Sequence, residues 1–313
     1  MTPPHRIVSL LPAATEILCA LDRASLLVGR SHACDYPDEI LDRPACTRPR
    51  LNPTASSADI QAEVSNQLKA GKALYELDVP LLTRLRPDLI ITQGQCNVCA
   101  VDVADVERAA ANLSPRPQVL SLAPRHLRDL WDNITSVGAA LGDPESGRTL
   151  NKALKNRMAN LILGTAAMKK RPTVACIEWL DPLMAAGNWV PEMVELAGGQ
   201  PVVGKAGEHS PWMTWPELVQ VDPDVIVLIP CGFDLERTTS DSQHLGSIPE
   251  WVKLRAVQGG MVFAADGSQH FNRPGPRLVD SLEILAQIIH PGVFPPPEGP
   301  KHWRRLRPGH FLV

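Results

Sequence analysis

Pro87-Asp88-Leu89-Ile90-Ile91-Thr92 returns in the second half of the chain as Pro223-Asp224-Val225-Ile226-Val227-Leu228. Each copy follows a leucine-bearing helical stretch and is followed by cysteine, Cys96 and Cys99 after the first and Cys231 after the second. A second pair frames the first: Arg6-Ile7-Val8-Ser9-Leu10 and Arg171-Pro172-Thr173-Val174-Ala175-Cys176-Ile177 both read as short apolar strands that run into a loop and a helix. The unbroken apolar runs predict buried parallel strands. Self-similarity at this distance predicts two α/β lobes of like topology, each with a parallel sheet of about four or five strands. Two such lobes make a cleft, where small ligands bind.

Working outward, the pattern divides the chain into an N-terminal α/β lobe (5–125), a helical linker (126–168), a C-terminal α/β lobe (169–290) and a proline-rich tail (291–313). The linker rests on Leu127, Leu130, Ile134, Val137 and Leu141, then Leu150, Leu154, Met158 and Leu161, at helical spacing with a break expected at Gly142-Asp143-Pro144. The alternative is two core helices of one lobe. Residues 42–57 read as loop, Leu74–Leu77 as a turn into a helix over Val79–Leu85, and the tail, with six prolines, as irregular and only locally packed.

Composition narrows the function. An apolar content of 44% over 313 residues suffices for two cores. A net charge of −3 without a basic stretch gives no reason for nucleic acid. No apolar run reaches the roughly 20 residues of a membrane span, and Pro12 and Glu16 interrupt the N-terminal apolar stretch, so it reads as strand, loop and helix, not as an export signal. Read from Met1, the chain is expected in the cytoplasm; a true start upstream would make it periplasmic. Seven cysteines agree with reduced thiols. Dinucleotide, Walker and nucleophile-elbow motifs are absent.

In parallel α/β sheets ligands sit beyond the carboxyl ends of the strands. That rule gathers Pro12, His32, Asp35, Tyr36, Gln93, Gln95, Glu178, Trp179, Asn188, Trp189, Phe271 and Arg273 as candidate ligand-binding residues, with Cys34, Cys96, Cys99 and Cys231; Trp212 joins the ligand-binding candidates for its aromatic face. Tryptophan is over-represented, with seven Trp against two Tyr and five Phe, which suits flat contact surfaces as well as an ordinary core. Arg273 reads either as an arginine for a ligand's acidic arm or as a tie to Asp266. The four cysteines raise a rival reading: a zinc or iron–sulfur site in a cytosolic metal-dependent enzyme. A single Cys-x-x-Cys falls short of a zinc-ribbon signature.

Ile7-Val8-Ser9-Leu10-Leu11-Pro12-Ala13-Ala14-Thr15-Glu16, Val28-Gly29, the Pro-Asp phrase and the helical stretch together resemble the substrate-binding proteins of cobalamin and iron-siderophore ABC transporters, over roughly residues 5 to 290. The cobalamin-binding branch is the one it is most similar to. The resemblance implies the helical-backbone, class III periplasmic-binding-protein-like fold: two Rossmann-like lobes joined by a long helix, with the ligand between them. It also implies a corrinoid as ligand, a carrier, sensor or transport role without catalysis, and an ABC permease met by one acidic residue on each lobe, here Glu16 and Glu195. Without the resemblance, both are solvated residues of a helix face. The chemistry agrees with a corrinoid. Its broad apolar disc suits Trp179, Trp189, Trp212, Trp215 and Phe271, and its amide arms suit Gln93, Gln95 and Asn188. His32 is either a cobalt ligand or a loop histidine bonded to a nearby carbonyl.

Overall fold

The two Pro-Asp phrases occupy equivalent places for a local reason. In the computed structural model, which describes residues 3–94, 101–166, 168–296 and 301–311, each phrase follows a helix that ends on a left-handed residue, Arg86 (φ 46°) or Asp222 (φ 35°). The amides of these residues return to Leu82 O and Leu218 O, closing the last turn. The proline that follows cannot extend a helix. The aspartate then reaches across to the first strand of its own unit. Asp88 Oδ2 accepts the amides of His5 (2.8 Å) and Arg6 (3.0 Å). Asp224 Oδ2 accepts the amide and hydroxyl of Thr173 (2.8 and 2.9 Å). The apolar run that follows is laid in register beside that strand, Val8 opposite Ile90 and Cys176 opposite Val227.

The chain divides into two compact units, one of residues 1–55, 59–124 and 128–154, the other of 56–58, 125–127 and 155–313. The first contains β1 (Ile7–Ser9), α1 (Pro12–Ala20), β2 (Leu27–Arg30), β3 (Thr47–Pro49), most of α2 (Ser57–Lys69), β4 (Tyr75–Leu77), α3 (Val79–Leu85), β5 (Leu89–Gln93), α4 (Val103–Ala111), β6 (Gln118–Leu122) and most of α5 (Leu127–Ala140). Its main sheet has the order β2-β1-β5-β6 and every pairing is parallel, so all four carboxyl ends lie on one edge. Val8, Leu10, Leu82, Ile90 and Val106 form its core, each contributing roughly 1.5–3 kcal/mol if fully removed from water. β3 and β4 make a separate antiparallel ribbon. Leu74–Leu77 therefore includes a strand where the sequence pattern predicts a turn, and the polar helix α2, with Asp59 in its first turn and Lys69 in its last, has no counterpart among the predicted elements.

Helix α6 (Pro144–Ala166) begins in the first unit and ends in the second. The chain breaks between α5 and α6 where predicted: Gly142 takes φ +76°, and Asp143 Oδ1 caps the amide of Ser146.

The second unit holds β7 (Thr173–Trp179), β8 (Met184–Ala185), α7 (Val190–Leu196), β9 (Gln200–Pro201), α8 (Trp215–Val221), β10 (Val225–Leu228), α9 (Leu235–Asp241), α10 (Arg255–Gln258), β11 (Val262–Ala265), α11 (Leu278–Ile289) and β12 (Trp303–Leu306). β9, β7, β10 and β11 are parallel; β8 and β12 pair antiparallel at its margins. The tail corrects expectation. It is not irregular throughout, because β12 pairs with β11 along four residues and buried Phe311 packs edge-on to Trp251 at 5.4 Å. Leu306, Trp251 and Phe311 lie in the same core as Ile177, Ile226 and Leu228. The fold class is as the sequence indicates: two α/β units with parallel sheets and a long helix shared by both.

Candidate functional site

In the first unit, the loops beyond β1 and β2 are held by a buried hydroxyl–thiol network. Thr15 Oγ1 donates to Ser9 Oγ (2.8 Å) and lies 3.0 Å from Cys34 Sγ; Ser31 Oγ lies 3.1 Å from the same sulfur. Cys34 is fully buried and fixes the loop. Pro12 sits in the first turn of α1, where a missing amide costs no helical bond. His32 is half-buried; its Nδ1 is 2.8 Å from Thr47 Oγ1, which also accepts the His32 amide, and its ring stacks on Tyr75 at 5.3 Å. Burial and the nearby Arg30 charge hold its pKa below the usual imidazole value, favouring the neutral ring. The bond to Thr47 is of the loop-histidine kind, with a hydroxyl in place of the expected carbonyl. Asp35 and Tyr36 are exposed beside it, and Gln93 ends β5 at the same edge. Gln95, Cys96 and Cys99 lie outside the described residues.

Two expectations change here. Glu16 is only 4% exposed, so it presents no carboxylate to a macromolecular partner; α1 is short and its apolar faces are buried nearly all round. The metal site finds no support either. Cys34 is engaged by hydroxyls, Cys96 and Cys99 are not among the described residues, and among those described no group of three or more His, Cys, Asp or Glu could hold a metal ion.

In the second unit, the carboxyl edge is organised around buried aromatic groups. The Trp179 indole donates to Asp181 O (3.1 Å) and packs against Phe233 at 5.3 Å. The Trp189 indole donates to Phe271 O (2.9 Å). Trp179, Trp189 and Phe271 are all buried, so the faces expected to cover a ligand act instead as struts between loops. Trp215 packs on Trp251. Trp212 is the exception, 53% exposed and bridged to Met184 at the β8 corner. Glu178 Oε2 accepts the Ser210 hydroxyl (2.8 Å), whose oxygen accepts the Gly187 amide (3.1 Å). Asn188 takes the left-handed conformation (φ 51°) and is tied by its backbone to Glu208 and Gly207.

Beyond β11 the chain makes a single π-helical turn, Gly267–Phe271, opened by Asp266, whose Oδ1 accepts the Gln269 amide. A Cβ on Gly267 would lie 2.3 Å from Pro230 O, so only glycine lets this turn press against the loop after β10. Arg273 is nearly buried, with Nη2 3.3 Å from Ser268 Oγ, and its charge lies near Asp266. Of its two readings, the loop tie finds support in these contacts. Three groups here fall outside the predicted set. Arg237 lies over the Phe233 ring at 3.7 Å; Asn272 Nδ2 donates to Ile229 O (2.9 Å); His270 is buried against the His302 ring. Nothing in their local sequence marks them, since each acts through a contact between distant loops.

Each unit thus offers a parallel-sheet edge bearing polar and aromatic side chains. Residues 7–268 match the family of periplasmic binding proteins. This chain belongs to that family. A vitamin B12-binding protein of Vibrio cholerae is 25% identical over 297 residues, covering 92% of this chain and 90% of the relative. An uncharacterized ABC transporter substrate-binding lipoprotein of Bacillus subtilis is 22% identical over 93% of this chain and 82% of its own length. Among solved structures, a periplasmic heme-binding protein of Pseudomonas aeruginosa superposes with a TM-score of 0.70 at 19% identity, over 93% of this chain and 94% of the other. The periplasmic vitamin B12-binding protein of Vibrio cholerae gives 0.67 at 20% identity, over 92% and 98%. These structural likenesses establish the fold. The proteins named are binding proteins.

Proposed function

We propose that this chain is the substrate-binding component of an ABC uptake system and that its ligand is vitamin B12 or a related corrinoid. The observation that carries the reading is the full-length similarity to vitamin B12-binding proteins, which extends over nine-tenths of both chains. The chemistry of the two sheet edges supports it. Asn188, Gln93 and the exposed Asp35 and Tyr36 supply partners for amide arms, and Trp212 supplies an exposed aromatic face. Trp179, Trp189 and Phe271 serve the site indirectly, by fixing the loops that carry these groups. His32, held neutral, is available to a metal-centred ligand through its second ring nitrogen. Of the two acidic residues considered for a permease, Glu195, exposed on α7, is the one we assign to that contact.

Calorimetric titration of the purified chain with cyanocobalamin, hemin and a ferric siderophore tests the ligand. Saturable corrinoid binding tighter than about 1 μM, equivalent to about −8 kcal/mol, with hemin and siderophore inert, is the expected result. Hemin or siderophore binding with cyanocobalamin inert would overturn the corrinoid assignment and keep the transport role. Cell fractionation tests the compartment: a role in uptake expects the protein in the periplasmic fraction, and recovery from the cytoplasm alone would count against that role.

A further inference from the structure

His270 is 2% exposed, and neither of its ring nitrogens has a hydrogen-bond partner. A buried imidazole without an acceptor is held in its neutral form, because a proton would bring an unpaired charge into an apolar site. The neighbouring groups reinforce this. The His302 ring, just before β12, lies edge-on at 4.4 Å, and Arg273, from the same loop, and Arg277, at the start of α11, add positive charge. The acidic group at this end of β11 is Asp266, whose Oδ1 is occupied by the Gln269 amide.

The turn that holds His270 joins three other segments. Phe271 O accepts the Trp189 indole from the start of α7. Ser268 N donates to Phe233 O, and Asn272 Nδ2 to Ile229 O, both in the loop after β10. Asp266 N donates to His302 O. Opening this turn releases all of these bonds together.

We propose that the π-helical turn Gly267–Phe271 is an acid-release latch, with His270 as its proton-sensitive element, which frees the loops at the carboxyl edge of the second unit when the medium becomes acidic. This does not depend on which ligand the chain binds. Burial and the adjacent His302, Arg277 and Arg273 lower the His270 pKa to about 3. A free imidazole titrates near 6.5. The closed turn therefore refuses a proton that the open turn accepts, and closure is undisturbed above about pH 6.5 and weakens as pH falls below it. Each pH unit favours opening about tenfold, or about 100-fold at pH 4.5. Asp266 acts in the opposite sense. Burial raises its pKa, so it takes up a proton more readily in the closed turn, and acid stabilises closure through it. Asp266→Asn removes this opposition and keeps an acceptor for the Gln269 amide.

The test is amide hydrogen exchange of the full chain at pH 7.5, 6.0 and 4.5, corrected for intrinsic exchange rates. The expected result is a loss of protection in peptides covering 266–277 on acidification, reaching about 100-fold in Asp266→Asn, with β10 and α11 still protected. Adding His270→Phe, of similar size and unable to ionise, to Asp266→Asn should abolish the pH dependence, while His270→Phe alone should leave only the opposite, Asp266-driven gain of protection in acid. NMR of the imidazole in the wild type gives an independent readout that needs no variant: His270 should remain neutral at pH 4.5 in the closed form. A turn whose protection is indifferent to pH, a His270 that titrates near 6.5, or equal loss of protection throughout the second unit would each overturn the latch.

Discussion

Replacing Asp224 by alanine should destabilise the second unit by about 2 kcal/mol. The carboxylate accepts two hydrogen bonds from Thr173, at 2.8 and 2.9 Å, and Arg255 Nη1 lies 3.1 Å from its other oxygen. Bonds to an ionised acceptor contribute roughly 1.5–3 kcal/mol when well buried. This side chain is 36% exposed, so water recovers part of that, and the ion pair with Arg255 adds at most about 1 kcal/mol. The equivalent Asp88 accepts two amides in a more exposed setting without the threonine hydroxyl, and Asp88→Ala should cost about 1 kcal/mol. Urea unfolding separates the two. Six of the seven tryptophans lie in the second unit, and only Trp131 in the first, so tryptophan fluorescence follows the former and far-UV circular dichroism follows both. The hydrogen bonds from Thr173 hold the Asp224 pKa below its ordinary value. Its stabilisation is therefore present above about pH 3.9 and lost as pH falls through the folded-state value, so the gap between wild type and Asp224→Ala should narrow from pH 7 to pH 3. A fluorescence midpoint shifted by less than the equivalent of about 0.5 kcal/mol at pH 7 would refute the claim that the repeated aspartate clamps the first strand of its unit.

Phe311→Ala should cost about 3 kcal/mol, the usual loss for a buried aromatic group, because Phe311 fills the core beside Trp251; thermal unfolding followed by fluorescence checks it. Gly267→Ala should destabilise by roughly 1–3 kcal/mol through overpacking against Pro230 O, with loosened exchange in 266–277 as its signature. Burial raises the pKa of Cys19, Cys46 and Cys176 to about 12, so these thiols should resist alkylation at pH 8 in the native chain while half-buried Cys231 reacts; peptide mass mapping distinguishes them. Trp212→Ala should leave stability within about 0.5 kcal/mol and weaken corrinoid binding by calorimetry.

The repeated Pro-Asp phrase made the two-unit α/β fold legible, because a buried parallel strand after a helix-stopping proline has few alternative readings. The site was legible only as to which loops it occupies. Strand direction determines that Glu178, Cys231 and Phe271 lie on one edge, but not whether a tryptophan there faces solvent or the interior. Trp179 and Trp189 turn inward because backbone carbonyls, of Asp181 and Phe271, wait there for their indole N–H groups, and no residue type announces a carbonyl. Glu16 misled for a related reason, since a charged residue in an apolar helix reads as exposed unless its surroundings are known. The polar helix α2 escaped notice because it buries too few apolar residues to impose a period, and β12 because prolines on either side of it masked a four-residue strand.

The pairing of β12 with β11 has a consequence for how the chain is made. The first unit is complete once the ribosome has released residue 154, and nearly all of its pairings join segments synthesised earlier. The second unit lacks its outermost strand and the Phe311 plug until residues 303–311 emerge. Its β11 edge, with unpaired backbone groups, stays open for association with other chains throughout that interval. Ribosome stalling or termination before Trp303 should therefore yield a folded first unit attached to an aggregation-prone second one.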